Sequence, residues 1–279
     1  MAILIDGITL RNRILNELQA HIKAQGLKPK LVAILVGDDA ASKIYVNNKE
    51  KYAAIAGIQT EIIRMPFDTN TEAVIAQINK LNKDKTVTAI LVQLPLPKHI
   101  DTQTVINTID ISKDVDGFTD KNIGRMYGSG RDFIVPCTPR GIMELLREYK
   151  IDIAGKKAVI IGRSNIVGKP MAQILMAHNA TVTICHSQTP NITDFTKTAD
   201  IVISATGKIK ITGNMLKPGA VLIDIGMQRD KNGKLHGDVD FDSCTSIAGY
   251  LTPTPGGTGP MTIAGLMMNT VDLAIKNNK

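Results

Sequence analysis

The 279-residue sequence contains no tryptophan, and aromatic residues make up only 4% of it. A surface that stacks one base after another needs a series of rings, so the composition argues against a single-strand nucleic-acid platform. Cysteine is almost as scarce. Cys137, Cys185 and Cys244 are odd in number, widely separated and form no C-x-x-C pair. Neither a disulfide framework nor a zinc site is indicated, no metal is expected, and the expected compartment is the reducing cytoplasm. Long apolar runs are also lacking: the longest clean one, Leu31–Val36, falls far short of the ~20 residues that cross a bilayer. The opening MAILIDGITLRNRI carries Asp6 and no apolar stretch of signal-peptide type, so neither membrane nor secretion is expected. Charge of one sign never accumulates. Lys and Arg number 33 against 26 Asp and Glu, a formal +7, yet no block of five or six like charges occurs. That balance invites a nucleic-acid or an anionic-ligand reading.

What the chain does have is short apolar runs bounded by Gly or Asp: LVAILVG (31–37), TAILVQLPLP (88–97), KAVIIG (157–162), ATVTIC (180–185), DIVISATG (200–207) and AVLIDIG (220–226). Runs of β-branched and aliphatic residues without alternation mark strands buried on both faces. Between them fall segments with helical spacing, such as Leu10, Ile14, Leu18, Ile22 and Val74, Ile75, Ile78, Leu81. Strand and helix alternate over the whole length, which predicts an α/β protein with mostly parallel sheets. A polar, glycine-bearing stretch, Asp116 to Arg131, suggests a boundary between two lobes. After it, Thr138 can cap a helix over 138–149 whose first position is Pro139 and whose apolar face is Ile142, Leu145, Leu146 and Tyr149.

Two constellations carry chemistry. The run KAVIIG enters GRSNIVGKPMAQILMAHNA, where Gly162, Ser164 and Gly168 give a G-x-S-x-x-x-G spacing before a helix. Small residues there let backbone approach a pyrophosphate that sits on the helix N-terminus, although a strict G-x-G-x-x-G is absent. The next strand ends at Cys185-His186-Ser187, with no acid where NAD-specific folds hold the ribose 2′-hydroxyl. Ser187 can donate to a 2′-phosphate and Arg163 supplies positive charge, which favours NADP. The bland alternative is a structural strand-to-helix turn with a surface Arg.

The second constellation is YVNNKEKYAAIAGI (45–58). On a helix Ser42, Tyr45 and Lys49 share one face, Tyr45 and Lys49 one turn apart. Such a pair can polarise or move a proton if the lysine loses solvent, and is otherwise an ordinary surface lysine beside a tyrosine at the core edge. Gln93, in VQLPLP at a strand end, can bond a ligand, the lysine, or loop backbone. Asp114 and Asp116 in KDVDGF lack the further acids of a calcium loop; one accepting from an N–H-rich heterocycle is as plausible as two making a turn. TPTPGGTGPMT (252–262) is too rich in Gly and Pro for a core element and reads as a ligand-lining loop or a linker.

Taken together, YVNNKEKYAAIAGI, VQLPLP, DVDGF, PCTPRGIM, GRSNIVGKP and TPTPGGTGPMT, in this order over essentially the whole chain, resemble the bifunctional methylenetetrahydrofolate dehydrogenase/cyclohydrolase family. The resemblance implies a folate-binding lobe over 1–119, completed by a C-terminal helix over 261–279, and a Rossmann-type NADP lobe over 120–260. It implies oxidation of 5,10-methylenetetrahydrofolate by NADP, then hydrolysis of the methenyl product to 10-formyltetrahydrofolate. Lys49 would be the central acid/base or electrostatic group, tuned by Gln93. Tyr45 would pack on the folate, Ser42 would assist, Asp116 would hold the pterin, and Gly256, Gly257 and Pro260 would line the substrate. Gly162, Arg163, Ser164, Ser187 and Met227 would contact NADP. A homodimer is implied as well, and both ligands are polyanions, which suits the basic balance. The chain departs from the family's usual TPVPGGVGPMT in Thr254 and Thr258, and has Gln188 where a basic residue is often found. The competing expectations are another two-lobed NADP dehydrogenase of the shikimate type and a basic nucleic-acid-binding protein.

Overall fold

The computed structural model describes residues 1–37, 40–128, 132–229 and 235–278, the side chains of residues 40–45 and of Arg229 excepted. In chain order the elements are β1 (Ile3–Leu4), α1 (Gly7–Ala24), β2 (Lys30–Val36), α2 (Ala40–Ala56), β3 (Gln59–Met65), α3 (Thr71–Lys83), β4 (Ala89–Val92), α4 (Thr102–Asn107), α5 (Asp120–Tyr127) and α6 (Cys137–Glu148). There follow β5 (Lys157–Ile161), α7 (Gly168–Ala177), β6 (Thr181–Cys185), α8 (Ile192–Thr196), β7 (Ile201–Ser204), β8 (Val221–Asp224), β9 (Gln228–Arg229), β10 (Leu235–His236), α9 (Phe241–Thr245), β11 (Tyr250–Leu251) and α10 (Thr258–Asn277). The alternation expected from the apolar runs is present, with β2, β4, β5, β6, β7 and β8 on the six runs.

The chain divides into two compact units, Met1–Arg11 with Thr138–Thr262, and Asn12–Cys137 with Ile263–Lys279. It passes from one to the other inside α1, α6 and α10. The division differs from the expected 1–119 and 120–260 in two respects. Residues 1–11 belong with the second lobe because β1 pairs in parallel with β11 at its sheet edge. Residues 120–137 belong with the first, where α5 is tied down through Asn122, which donates to Gly117 O at 2.9 Å and Ile134 O at 2.8 Å. The polar stretch read as a boundary is therefore part of the folded first lobe.

In the unit built on Asn12–Cys137 the sheet order is β3-β2-β4, all parallel. Leu31 and Ala33 of β2, with Ala89 and Leu91 of β4, face a core shared with α1, α2 and α10. The intervening Val32, Ile34, Ile90 and Val92 face a second core under α3 and α4. Both faces are covered, so neither strand shows alternation, and each fully buried Leu or Ile contributes roughly 1.5–3 kcal/mol. The other unit carries a six-stranded parallel sheet, β1-β11-β8-β7-β5-β6, with β9 and β10 as a separate antiparallel pair. This is the sheet and helix pattern of a dinucleotide fold.

Two helix boundaries shift. Helix α6 starts at Cys137, one residue before the expected cap, and the Thr138 hydroxyl meets Thr262 Oγ1 at 2.9 Å. Helix α10 starts at Thr258, earlier than the expected 261, because Pro260 falls in the first turn, where its missing N–H leaves no helical bond unmade.

Candidate functional site

Lys49 and Gln93 stand on different elements of one unit. Helix α2 follows the central strand β2, and Gln93 comes directly after β4, its N–H donating to Ile34 O of β2 at 2.9 Å. Strand and helix bring the two side chains together: Lys49 Nζ donates to Gln93 Oε1 at 2.9 Å, while Gln93 Nε2 donates to Leu94 O at 2.6 Å. The second bond fixes which way the amide points, so its oxygen faces the lysine. Burial pushes the Lys49 ammonium below the ordinary lysine range, with Asp116 and Cys137 pulling it back.

The two aspartates of KDVDGF take different parts. Asp114 is buried and accepts from Gly117 N at 2.9 Å, Phe118 N at 3.3 Å and Thr119 N at 2.9 Å. It makes the turn, with burial raising its carboxyl against those bonds. Gly117 permits the turn with φ of 71°, and a Cβ there would stand 2.6 Å from Ile134 O. Asp116 is left to face Lys49. A parallel bridge between Ile90 and Asp114 runs this segment beside β4, toward the end where Gln93 lies. Burial raises the Asp116 carboxyl to about 6, Lys49 opposing the rise and Asp114 adding to it. An ammonium short of solvent, a neutral amide acceptor and a carboxylate that titrates near 6 can hold and move a proton at Lys49 Nζ and accept from N–H donors at Asp116. Ser42 and Tyr45 lie on the same helix, α2, but their side chains fall outside the described residues.

In the other unit, Gly162 follows β5 and Ser187 lies just past β6, its parallel neighbour, so both sit at the carboxyl ends of adjacent strands. Gly162 has φ of 122°, and a Cβ on it would meet Ala205 O at 2.7 Å. A Cβ on Gly168 would stand 2.2 Å from Gly162 O, so the first turn of α7 closes on the loop only with glycine there. Ser164 Oγ accepts from Val167 N at 3.2 Å and Gly168 N at 3.3 Å, fixing the loop, while the Arg163 side chain stays exposed. Met227, past β8, is exposed too. The tight glycine turn, the helix start and the absence of an acid after β6 fit a phosphate-rich dinucleotide. Gly256, with φ of 114°, and Gly257 precede α10, and Pro260 lies in its first turn. A Cβ on Gly257 would crowd Thr252, and one on Gly7 would stand 1.9 Å from Gly257 O.

Sequence reading missed the groups that gather these loops. Asp224 and Asp238 are both buried. Asp238 Oδ2 accepts from Ser204 Oγ at 2.8 Å, Thr206 N at 2.9 Å and Gly207 N at 3.2 Å. Asp224 Oδ1 accepts from Gly226 N at 2.9 Å and Asp238 N at 3.0 Å. The two threonines that depart from the family pattern join the same system: Thr254 Oγ1 donates to Asp224 Oδ2 at 3.3 Å and Thr258 Oγ1 to Asp224 O at 2.7 Å. Room for the carboxylates comes from Gly226 and Gly237, where a Cβ would stand 2.4 Å and 1.8 Å from Asp238 and Asp224 atoms. Also overlooked at the site were Cys137, counted only among the cysteines and in the PCTPRGIM run, and Asn269, whose signal was a lone amide in the apolar run GLMMNTVDLAI. Among the described residues there is no group of three or more His, Cys, Asp or Glu placed to hold a metal, and no helix long and apolar enough to cross a membrane.

Comparison with known proteins places this geometry. Residues 5–116 match the tetrahydrofolate dehydrogenase/cyclohydrolase catalytic domain, and residues 136–278 match the NAD(P)-binding domain of the same name. A bifunctional protein FolD from Streptococcus pneumoniae is 51% identical over 281 residues, covering 99% of this chain and 98% of that protein. The crystal structure of the bifunctional FolD methylenetetrahydrofolate dehydrogenase/cyclohydrolase from Campylobacter jejuni superposes with a TM-score of 0.96 at 42% identity, covering 99% of both chains. A methylenetetrahydrofolate dehydrogenase-cyclohydrolase from Trypanosoma brucei, solved with NADP and an inhibitor, gives 0.94 at 36% identity over 100% of this chain and 99% of that one.

Proposed function

This chain belongs to the tetrahydrofolate dehydrogenase/cyclohydrolase family, and on that premise we propose that Lys49, Gln93 and Asp116 are the residues that serve its two reactions. The enzyme acts in one-carbon metabolism. It oxidises 5,10-methylenetetrahydrofolate to 5,10-methenyltetrahydrofolate with NADP, then hydrolyses the product to 10-formyltetrahydrofolate. NADP, when bound, accepts the hydride, and the residues suited to hold it are Gly162, Arg163, Ser164, Ser187 and Met227. Arg163 and Ser187 suit a 2′-phosphate, and with no acid after β6 nothing there repels one.

Hydride loss leaves a cationic amidinium and asks little of a base, so the protein's part in the first step is orientation. The second step needs a proton acceptor. Water adds to the amidinium carbon and its first proton passes to neutral Lys49 Nζ; the hydroxyl so formed then gives up its proton as the carbonyl forms, the C–N bond to the ring nitrogen breaks and that nitrogen takes up a proton, leaving the formyl group on the other nitrogen and one proton released overall. Gln93 Oε1 holds Nζ in place without adding charge, so the depressed lysine stays available in its neutral form. Asp116 accepts from the N–H-rich pterin, Tyr45 packs on the folate beside Ser42, and Gly256, Gly257 and Pro260 line the substrate. The observation that carries this reading is the 2.9 Å contact between a desolvated Lys49 and Gln93.

The test is methenyl absorbance produced by purified protein from methylenetetrahydrofolate, with NADP and NAD run side by side, and cyclohydrolase turnover in Lys49→Ala. Turnover is expected to vanish in the variant; an unchanged rate refutes the assignment of Lys49. We further propose a cytoplasmic homodimer. The cofactor unit leaves β6 as a sheet edge with Ile184 exposed, the kind of edge that a second copy covers. Light scattering at micromolar concentration measures the mass directly.

A further inference from the structure

The folate unit buries a nucleophilic side chain to which the assignments above give no role, the thiol of Cys137 at the start of α6. Its sulfur lies 3.4 Å from Asp116 Oδ1 and 3.7 Å from the Val115 carbonyl. A thiol has a single hydrogen, and a charged oxygen at the shorter distance is the stronger acceptor, so the S–H donates to Asp116. Behind it stands Asn269 of α10, fully buried. Its Nδ2 donates to Val115 O at 2.8 Å and Val135 O at 2.9 Å, which uses both hydrogens, and the nitrogen packs 3.5 Å from the sulfur. One amide thus fastens the residue before Asp116 and the segment leading into Cys137. Gly265, one turn earlier on α10, lets the helix close on this point, since a Cβ there would stand 2.3 Å from Cys137 O.

We propose that Cys137, seated by Asn269, is a positioning residue of the folate site, its S–H aiming Asp116 Oδ1 toward Lys49 and the substrate. The inference rests on the reading in which Asp116 holds the pterin. The groups that face the carboxylate are Lys49 from α2, Asp114 from its own loop and Cys137 from α6. Of these the thiol and the lysine favour the charged form and Asp114 opposes it, so loss of the thiol shifts protonation of Asp116 to higher pH.

The experiment is the pH profile of cyclohydrolase kcat/KM, which needs no cofactor and reports the free enzyme. Cys137→Ala is expected to move the acidic limb upward and lower kcat/KM near pH 6 on the order of five-fold, the scale of one ordinary hydrogen bond, since a thiol is a weak donor. Cys137→Ser, which restores a donor, is expected to return the limb to its original place. An unshifted limb in Cys137→Ala overturns the proposal, as does a Ser variant that behaves like Ala. Should Cys137→Ala fail to fold, Cys137→Val fills the space without a donor and is held to the same outcomes. Absence of cyclohydrolase turnover in the unmodified enzyme overturns the folate reading instead.

Discussion

Replacing Gln93 by Glu places a carboxylate where an amide oxygen now accepts from Lys49 Nζ at 2.9 Å. At that separation and an effective dielectric constant of about 20, opposite unit charges attract by roughly 6 kcal/mol. The new carboxylate gives up solvent, and it faces the Leu94 carbonyl to which Gln93 Nε2 now donates. With those penalties about half of the attraction survives. Roughly 3 kcal/mol in favour of the ammonium lowers the ratio of neutral to protonated Lys49 about 100-fold. Because burial depresses Lys49, its neutral form grows in as pH rises through a value below the ordinary lysine range; the substitution moves that rise to higher pH. Cyclohydrolase kcat/KM, followed by loss of methenyl absorbance after subtraction of the uncatalysed rate, should fall by up to about 100-fold where the ammonium predominates and recover as pH rises. Gln93→Leu removes both hydrogen bonds without adding charge, and its loss should be the same at every pH. A Glu variant whose deficit is equally flat would refute the claim that Lys49 acts through its neutral form.

Other expectations follow from the same contacts. Substrate affinity should weaken as pH falls through about 6, where the raised Asp116 carboxyl takes up a proton, and Asp116→Asn should flatten that dependence; KM for methenyltetrahydrofolate between pH 5 and 8 checks both. Gly168→Ala forces a methyl into the 2.2 Å space before Gly162 O; dehydrogenase activity and NADP affinity by calorimetry should fall well before cyclohydrolase does, with a stability loss of about 2 kcal/mol. Arg163→Ala should raise KM for NADP about ten-fold and leave that for NAD nearly unchanged, as expected for loss of one charge-assisted contact. Asn269→Leu strands the buried Val115 carbonyl and the half-buried Val135 carbonyl, at about 1–3 kcal/mol for the first, and should lower the thermal midpoint by several degrees.

The strands buried on both faces were legible because a double-sided core demands continuous apolar runs, as in Leu31–Val36. Strand β3 was not, since it is a sheet edge and its sequence, QTEIIRM, mixes charge with aliphatic residues. Nor was the transfer of Met1–Arg11 to the cofactor unit, because a two-residue pairing such as β1 with β11 leaves no periodic trace. At the site, Lys49, Gln93 and the aspartates of KDVDGF stood out locally only as candidates beside ordinary structural alternatives, and it was the family resemblance that gave Lys49, Gln93 and Asp116 their expected roles. Local context alone left open the division of labour in KDVDGF, which the folded turn shows in the buried Asp114 that makes it and the Asp116 beside Lys49. Asp238 could not be found at all: its importance lies in donors thirty residues upstream, and no spacing rule connects Ser204 and Thr206 to it.

The three crossings inside α1, α6 and α10 bear on how the chain is made. A ribosome delivers Asn12–Cys137 first, yet that segment lacks Leu266, Met267, Val271 and Leu273, which fill its core from the last helix. The cofactor unit, begun with eleven residues and resumed at Thr138, is complete at Thr262. The lobe whose bulk emerges first is therefore the last able to close, and the folate site comes into being only when Ile263–Lys279 has left the tunnel.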